Sequence, residues 1–280
     1  MPISCHLEPF SDYATAIPKA LDAIGAAKIL AEQSRILIKP NLVKDSPPPV
    51  TTALPCAAAL IRYLRDRTKA QLILAEGSGE NMLSTIQIFD RQGYFALAEE
   101  YDLKLIDLNQ APLLKLARDD CKVFPEIWLP KLVMESFIIS LAPLKAHSLS
   151  EVTLSMKNMI GCAPPSHYQR GGHWKKSAFH RQIHQSIFEL NLHRKPDLAI
   201  VDAKDGLSEY HLGGPLCDPP PNRIVAGFDP VAVDAAGATL LGRDWRQVEH
   251  IQLADGVLGS AADGEKTCAM NGSSPTRSLH

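Results

Sequence analysis

The sequence predicts an α/β protein built on a mostly parallel sheet with helices on both faces. Three observations lead there. Short apolar runs alternate with longer segments of helical periodicity, several runs are apolar at every position, and polar or glycine-containing turns follow them directly. A strand with apolar residues at consecutive positions needs cover on both sides, and helices flanking a parallel sheet provide it.

In chain order, strands are predicted at residues 35–39 (RILIK), 71–76 (QLILAE), 103–108 (LKLIDL), 136–141 (SFIISL), 197–202 (DLAIVD) and 223–227 (RIVAG). Helices are predicted between them at 15–31, 54–68, 90–101, 179–193, 230–241 and 245–254. In 54–68 the residues Ala57, Leu60, Ile61 and Leu64 recur at helical spacing, leaving Arg62, Arg65 and Arg67 for solvent. One α/β domain over residues 1–260 accounts for this alternation. Residues 161–176 (GCAPPSHYQRGGHWKK) are too polar and glycine-rich for a core, and a lid or small inserted subdomain is expected there. Residues 261–280 are small and polar, and a flexible tail is expected.

Composition narrows the function classes. With 29 Lys and Arg against 31 Asp and Glu, the net charge is −2, so no global positive field would attract nucleic acid. No apolar run reaches the ~18 residues of a membrane helix. The two best candidate runs are interrupted by Glu135 and Pro143 and by Asp229 and Asp234. The first residues lack a basic stretch followed by an apolar one, so no signal peptide and a cytoplasmic location are expected. The six cysteines, at 5, 56, 121, 162, 217 and 268, have no CxxC-like spacing. Reduced thiols and no iron–sulfur cluster are the expectation.

In an open parallel sheet the functional groups sit in loops beyond the carboxyl ends of the strands. That rule selects Lys39 and Asn41 after the first predicted strand, and Lys145 and His147 after the fourth. Lys157 and Asn158 follow within the same largely apolar stretch. Buried lysines need an anion: either carboxylates such as Glu151 or Asp202 neutralise them, or a ligand does. Imidazole titrates near neutral pH, which makes His147 the candidate for proton transfer, with Lys145 and Asp202 beside it. Asp202 ends an apolar strand, where a carboxylate commonly orients a histidine or a metal. Asp229 precedes Pro230 and reads as a helix cap, whereas Asp234 sits in an apolar helix and needs a partner from the other loops. His180 and His184 are four apart, a spacing that suits two metal ligands on one helix face; His173 lies just before them. No HExxH glutamate accompanies them, so ordinary helix histidines remain the larger reading and a divalent ion the smaller. The Gly-Ser-Gly at 77–79 is too short for a nucleotide-binding loop.

These same stretches carry a resemblance. KPNLV, PLKAHSLSEVTLSMKNMIG, FHRQIHQSIFELN, DLAIVDAKDG and GFDPVAVDAAGATLLG, in this order and spacing, resemble domain-of-unknown-function family 362 over roughly residues 35 to 260. The resemblance implies an α/β fold. It places the family's motif positions on Lys39, Asn41, Lys145, His147, Lys157, Asn158, His180, Asp202, Asp229 and Asp234. Many members carry an appended ferredoxin-type domain with four-cysteine clusters; no such cysteine run occurs here, which weakens any electron-transfer role.

The expectation is a polar cleft at the strand ends in which Lys39, Asn41, Lys157 and Asn158, with Asp229 and Asp234, bind a small anionic ligand. His147, Lys145 and Asp202 would do the chemistry. Two functions fit: an enzyme acting on a small carboxylate or phosphate metabolite, with or without a divalent metal, or a non-catalytic protein holding an anion, metal or cofactor for a redox partner protein.

Overall fold

Ile36, Leu37 and Ile38 are consecutive and all fully buried, although neighbouring side chains of a strand point to opposite faces. Leu37 joins one hydrophobic cluster, while Ile36 and Ile38 join a second on the other side of the sheet. This three-layer arrangement is seen in a computed structural model, which describes residues 4–172 and 174–270. Ten strands occur among the described residues: β1 (His6–Pro9), β2 (Arg35–Pro40), β3 (Gln71–Glu76), β4 (Lys104–Asp107), β5 (Leu113–Ala117), β6 (Glu126–Pro130), β7 (Phe137–His147), β8 (Glu151–Thr153), β9 (Leu198–Leu207) and β10 (Arg223–Gly227).

Eight of them form one sheet in the order β1-β10-β9-β7-β2-β3-β4, with β8 paired to the end of β7. The pairs β9–β7, β7–β2, β2–β3 and β3–β4 are parallel, whereas β1 and β10 add an antiparallel edge. β5 and β6 form a separate antiparallel hairpin. The predicted α/β class with a mostly parallel sheet is therefore what the chain adopts, and all six predicted strands are present. The short strands β1, β5, β6 and β8 are not among the predicted ones, and β7 and β9 run past their predicted ends.

Each predicted helix exists, but several are broken. Residues 15–31 form two helices, Tyr13–Ala23 and Ala26–Ala31, because Gly25 takes a left-handed conformation (φ 71°) between them. Gly93 (φ 80°) divides Thr85–Arg91 from Tyr94–Glu100 in the same way. Ser84 and Gln87 form a reciprocal capping box at the start of Thr85–Arg91. Helix Leu54–Arg67 buries Cys56, Ala57, Leu60, Ile61 and Leu64 as its spacing requires. Truncating Leu60 to alanine there would cost about 2–5 kcal/mol.

Residues 261–270 correct the expectation of a tail. They form helix Ala261–Met270, which buries Ala261, Gly264 and Cys268. Gly264 lies against the Ala232 carbonyl of helix Pro230–Leu240, where a Cβ would not fit. Small residues suited a close helix–helix approach rather than disorder. The remainder of that stretch, 271–280, lies outside the described residues.

Candidate functional site

From β2 the chain proceeds outward to β3 and β4, then returns to place β7 on the opposite side of β2. The β2–β7 boundary is therefore a topological switch point, where departing loops diverge and leave a crevice beyond the carboxyl ends. A cavity of about 420 Å³ lies there. Lys39, Asn41, Lys145, His147, Lys157 and Asn158, all predicted from sequence, line it together. The segment 161–176, expected as a lid, adds Gly161, Gly172, Trp174 and Lys176 to the wall, and the loop after β9 adds Tyr210, His211 and Leu212.

One hydrogen-bonded chain fixes the floor. Lys39 Nζ donates to both carboxylate oxygens of Glu76 (3.0 and 3.1 Å), to Asn158 Oδ1 (2.9 Å) and to the Pro40 carbonyl (3.1 Å). Glu76 also accepts the backbone N–H of Leu42 (2.9 Å) and of Gly77 (2.7 Å). Asn158 Oδ1 accepts from Asn41 Nδ2 (3.0 Å), which turns Asn41 Oδ1 toward Lys145 Nζ at 2.8 Å. Lys145 Nζ has one further acceptor, the Val50 carbonyl at 2.7 Å. Lys39 and Lys145 are fully buried or nearly so, as is Glu76. Gly161 faces the Lys39–Glu76 pair so closely that a Cβ would collide with both, so glycine is required by contact there.

Four lysines thus surround a cavity whose lining includes a single carboxylate, and Lys39 already engages it. Lys176 donates to Asn109 Oδ1 (2.9 Å) and to the carbonyls of Gly161 (2.8 Å) and Ala163 (2.5 Å). Burial pushes its pKa down to about 7. Lys157 has neither a hydrogen bond nor an ion pair among the described residues, and burial pushes its pKa down to about 8. Lys145 is pushed well below its ordinary range too: burial acts first, the Lys157 ammonium second.

Three histidines complete the wall. His147 Nδ1 accepts the backbone N–H of Leu149 (3.0 Å) and Ser150 (3.2 Å), so its ring proton sits on Nε2. Its ring stacks on His211, with centroids 3.8 Å apart. Burial, then Lys157, holds both rings neutral, with His211 pushed down to about 3. His180 is lowered for the same two reasons. The Nδ1 atoms of His180 and His211 are buried without a hydrogen-bond partner among the described residues. The cavity is therefore rich in N–H donors, poor in negative charge, and holds unused polar atoms.

The family model described as "Domain of unknown function (DUF362)" matches residues 36–239, most of the chain and all of the cavity floor. The chain belongs to this family. It is 22% identical over 245 residues to the thylakoid-associated protein sll1697 of Synechocystis sp., covering 86% of this chain and 70% of that one. Among solved structures, the lactate racemase apoprotein from Thermoanaerobacterium thermosaccharolyticum aligns with a TM-score of 0.53 at 12% identity. The alignment covers 82% of this chain, which spans about 55% of the length of that one. At that identity the likeness is one of fold. No helix of the described residues is long and apolar enough to cross a membrane.

Four expectations for this family member's site are corrected by geometry. Asp202 does not line the cavity: its Oδ2 accepts the Tyr13 hydroxyl (2.8 Å) and its Oδ1 the Lys204 N–H (3.2 Å), away from His147. Asp229 caps helix Pro230–Leu240, accepting the N–H of Val231 (2.9 Å) and Ala232 (3.0 Å), and also that of Ser260 (2.7 Å). The cap expected from its place before Pro230 is therefore present, whereas the ligand-binding role is corrected, because Asp229 is not among the residues lining the cavity. Asp234 finds its partner not in a lysine or histidine but in Ser155, through hydroxyl and N–H, and in the Met156 N–H (3.0 Å). It anchors the start of the short helix Ser155–Asn158 that presents Lys157, and so acts on the cavity only at second hand.

His180 and His184 do not share a helix face, because a 3₁₀ turn ends at His180 and helix Ile183–His193 begins three residues later. His180 lines the cavity, whereas His184 Nδ1 lies 3.1 Å from His250 Nδ1. No group of three or more His, Cys, Asp or Glu arranged to hold a metal occurs among the described residues. His173 lies outside them. Sequence reasoning also missed residues. Glu76 ends an apolar strand and was open to the same rule that found Lys39. Lys176 and His211 stand in irregular loops with no local signal.

Proposed function

We propose that this protein is an enzyme acting on a small metabolite that carries a carboxylate or phosphate, bound in the switch-point cavity with its charge against Lys157. The observation that carries this reading is the Lys157 ammonium, which among the described residues has no hydrogen bond or ion pair and borders a cavity whose single carboxylate is already taken by Lys39. An ammonium partly screened from water gains from a counter-charge, and an anionic guest would supply it. The orphaned ring nitrogens of His180 and His211 support the same reading, since a ligand's polar atoms would satisfy them. At about 420 Å³ the cavity suits a small molecule. Lactate, in the name of the solved fold neighbour, is an anion of that class.

Catalysis rather than mere holding is supported by two groups whose protonation states are set for reaction. His147 is neutral with its proton on Nε2, a donor toward an oxygen that gains charge. Lys145 is an amine whose hold on its proton is weakened by burial and by the Lys157 ammonium, which suits it to exchange a proton with a ligand.

Thermal denaturation with inorganic phosphate, pyruvate and lactate tests the reading. At one hundred times its Kd a bound anion adds about 2.7 kcal/mol of stability. Stabilisation by at least one of the three that disappears in Lys157→Met is expected; stabilisation of parent and variant alike, or of neither, would refute it. A turnover screen on the stabilising class, repeated with His147→Ala, separates enzyme from holder.

A further inference from the structure

Lys145 differs from the other lysines of the cavity in how its nitrogen is satisfied. Lys39 Nζ has four acceptor atoms within 3.1 Å, two of them carboxylate oxygens, and Lys176 Nζ has three within 2.9 Å, which suits ammonium ions with three protons each. Lys145 Nζ has two, Asn41 Oδ1 and the Val50 carbonyl, and no carboxylate within ion-pair distance among the described residues. Two acceptors match the two protons of a neutral amine and leave its lone pair unused. The acceptors are held by the fold, since Asn41 is pinned through Asn158 and its own N–H donates to Thr52 (2.8 Å). Lys145 also borders the cavity in which Lys157 has no partner among the described residues. A desolvated lysine beside a second cation is an arrangement that activates an amine for attack on carbonyl carbon.

We infer that Lys145 is a nucleophile that forms an imine with a small carbonyl compound bearing an anionic group, the anion lying against Lys157. This rests on the anion-binding reading of the same cavity and specifies its substrate class. The Lys145 lone pair forms a bond to the carbonyl carbon while the C=O π pair moves to oxygen. That oxygen takes one proton from a donor such as His147 Nε2–H, and the nitrogen gives one up, which restores the donor and yields a neutral carbinolamine. Loss of its hydroxyl with a second proton releases one water and leaves C=N. No oxidant or reductant is needed, and the sum is amine plus carbonyl giving imine plus water. Trp174, Tyr210 and His211, which also line the cavity, offer planar and apolar contacts to the remainder of such a substrate.

Borohydride trapping tests this directly. The intact protein is incubated at pH 7 with pyruvate (a carboxylate), glycolaldehyde phosphate (a phosphate) or acetaldehyde (uncharged), reduced, and peptide-mapped. Reduced adduct on Lys145 from one of the anionic carbonyls is expected, at least about tenfold above any exposed lysine, whose amine is almost wholly protonated at that pH. Which anionic compound labels it identifies the headgroup. Labelling should fall about tenfold or more in Lys157→Met, and inorganic phosphate should protect. Adduct spread over surface lysines with Lys145 unmodified, or equal labelling by acetaldehyde, would overturn the inference, and the wild-type map decides this even where Lys145→Met fails to fold. If pyruvate or phosphate stabilises the protein yet Lys145 stays unmodified, the imine falls while the anion cavity stands. If no anion stabilises it, both fall.

Discussion

Replacing Lys157 with methionine removes an ammonium and keeps most of the side-chain length, and two effects of opposite sign should follow. Burial holds this amine at a pKa of about 8, against an ordinary 10.5. At about 1.4 kcal/mol per tenfold, keeping it charged at pH 7 opposes folding by at most roughly 3 kcal/mol. The side chain is only partly screened from water, so about 1–2 kcal/mol is the working figure. The unliganded variant should therefore melt later than the parent, by about 2–4 °C for each kcal/mol. A charge-assisted hydrogen bond to a ligand contributes about 1.5–3 kcal/mol, so affinity for inorganic phosphate should fall about 10- to 150-fold. Scanning fluorimetry without ligand and titration calorimetry with phosphate, both at pH 7, read the two effects separately. A variant that is less stable than the parent and binds phosphate equally well would refute the reasoning, because Lys157 would then be serving the fold.

Further outcomes follow from the same groups. Lys157 and Lys176 both titrate below their unfolded values, so between about 8 and 10.5 the unfolded chain holds protons the folded chain has lost. Unliganded stability should accordingly rise from pH 7 to 10, while the stabilisation given by phosphate shrinks; urea melts at both pH values with and without phosphate check this. His147, His211 and His250 are kept neutral by burial, so stability should fall as pH drops below about 6.5, by up to about 1.4 kcal/mol per pH unit for each group. A flat urea midpoint between pH 7.5 and 5.5 would contradict that. Glu76→Gln leaves the Lys39 ammonium buried without its carboxylate and should cost about 3–5 kcal/mol in chemical denaturation; a loss under 1 kcal/mol would show that the pair is not what holds the floor together.

The sheet was legible because its strands are continuous apolar runs, and Ile36–Leu37–Ile38 can be satisfied only by cover on both sides. Helix breaks were harder to read, since Gly25 and Gly93 look tolerable inside a helical pattern until their positive φ is known. Six cavity residues were legible from two coinciding demands: a strand end, and a cation in an apolar stretch. Carboxylates defeated that logic. A buried Asp needs hydrogen-bond donors, but the sequence does not say whether these come from lysines or from backbone N–H groups. Asp229 and Asp234 both took backbone donors. Glu76 stands at a strand end too, but a carboxylate there is not what the expectation of cations around an anion selects. The His180–His184 spacing has meaning only on an unbroken helix, and the turn at 181–182 rotates them apart. Lys176 and His211 reach the cavity through tertiary packing of irregular loops, for which no periodicity exists to be read.

The account turns on whether the switch-point cavity is occupied by an anion that Lys157 neutralises. A crystal structure determined in the presence of saturating pyruvate or phosphate measures this most directly. The prediction is an anion inside the cavity with an oxygen within hydrogen-bond distance of Lys157 Nζ. An empty cavity at saturation, or Lys157 paired instead with a carboxylate of the protein itself, would contradict it.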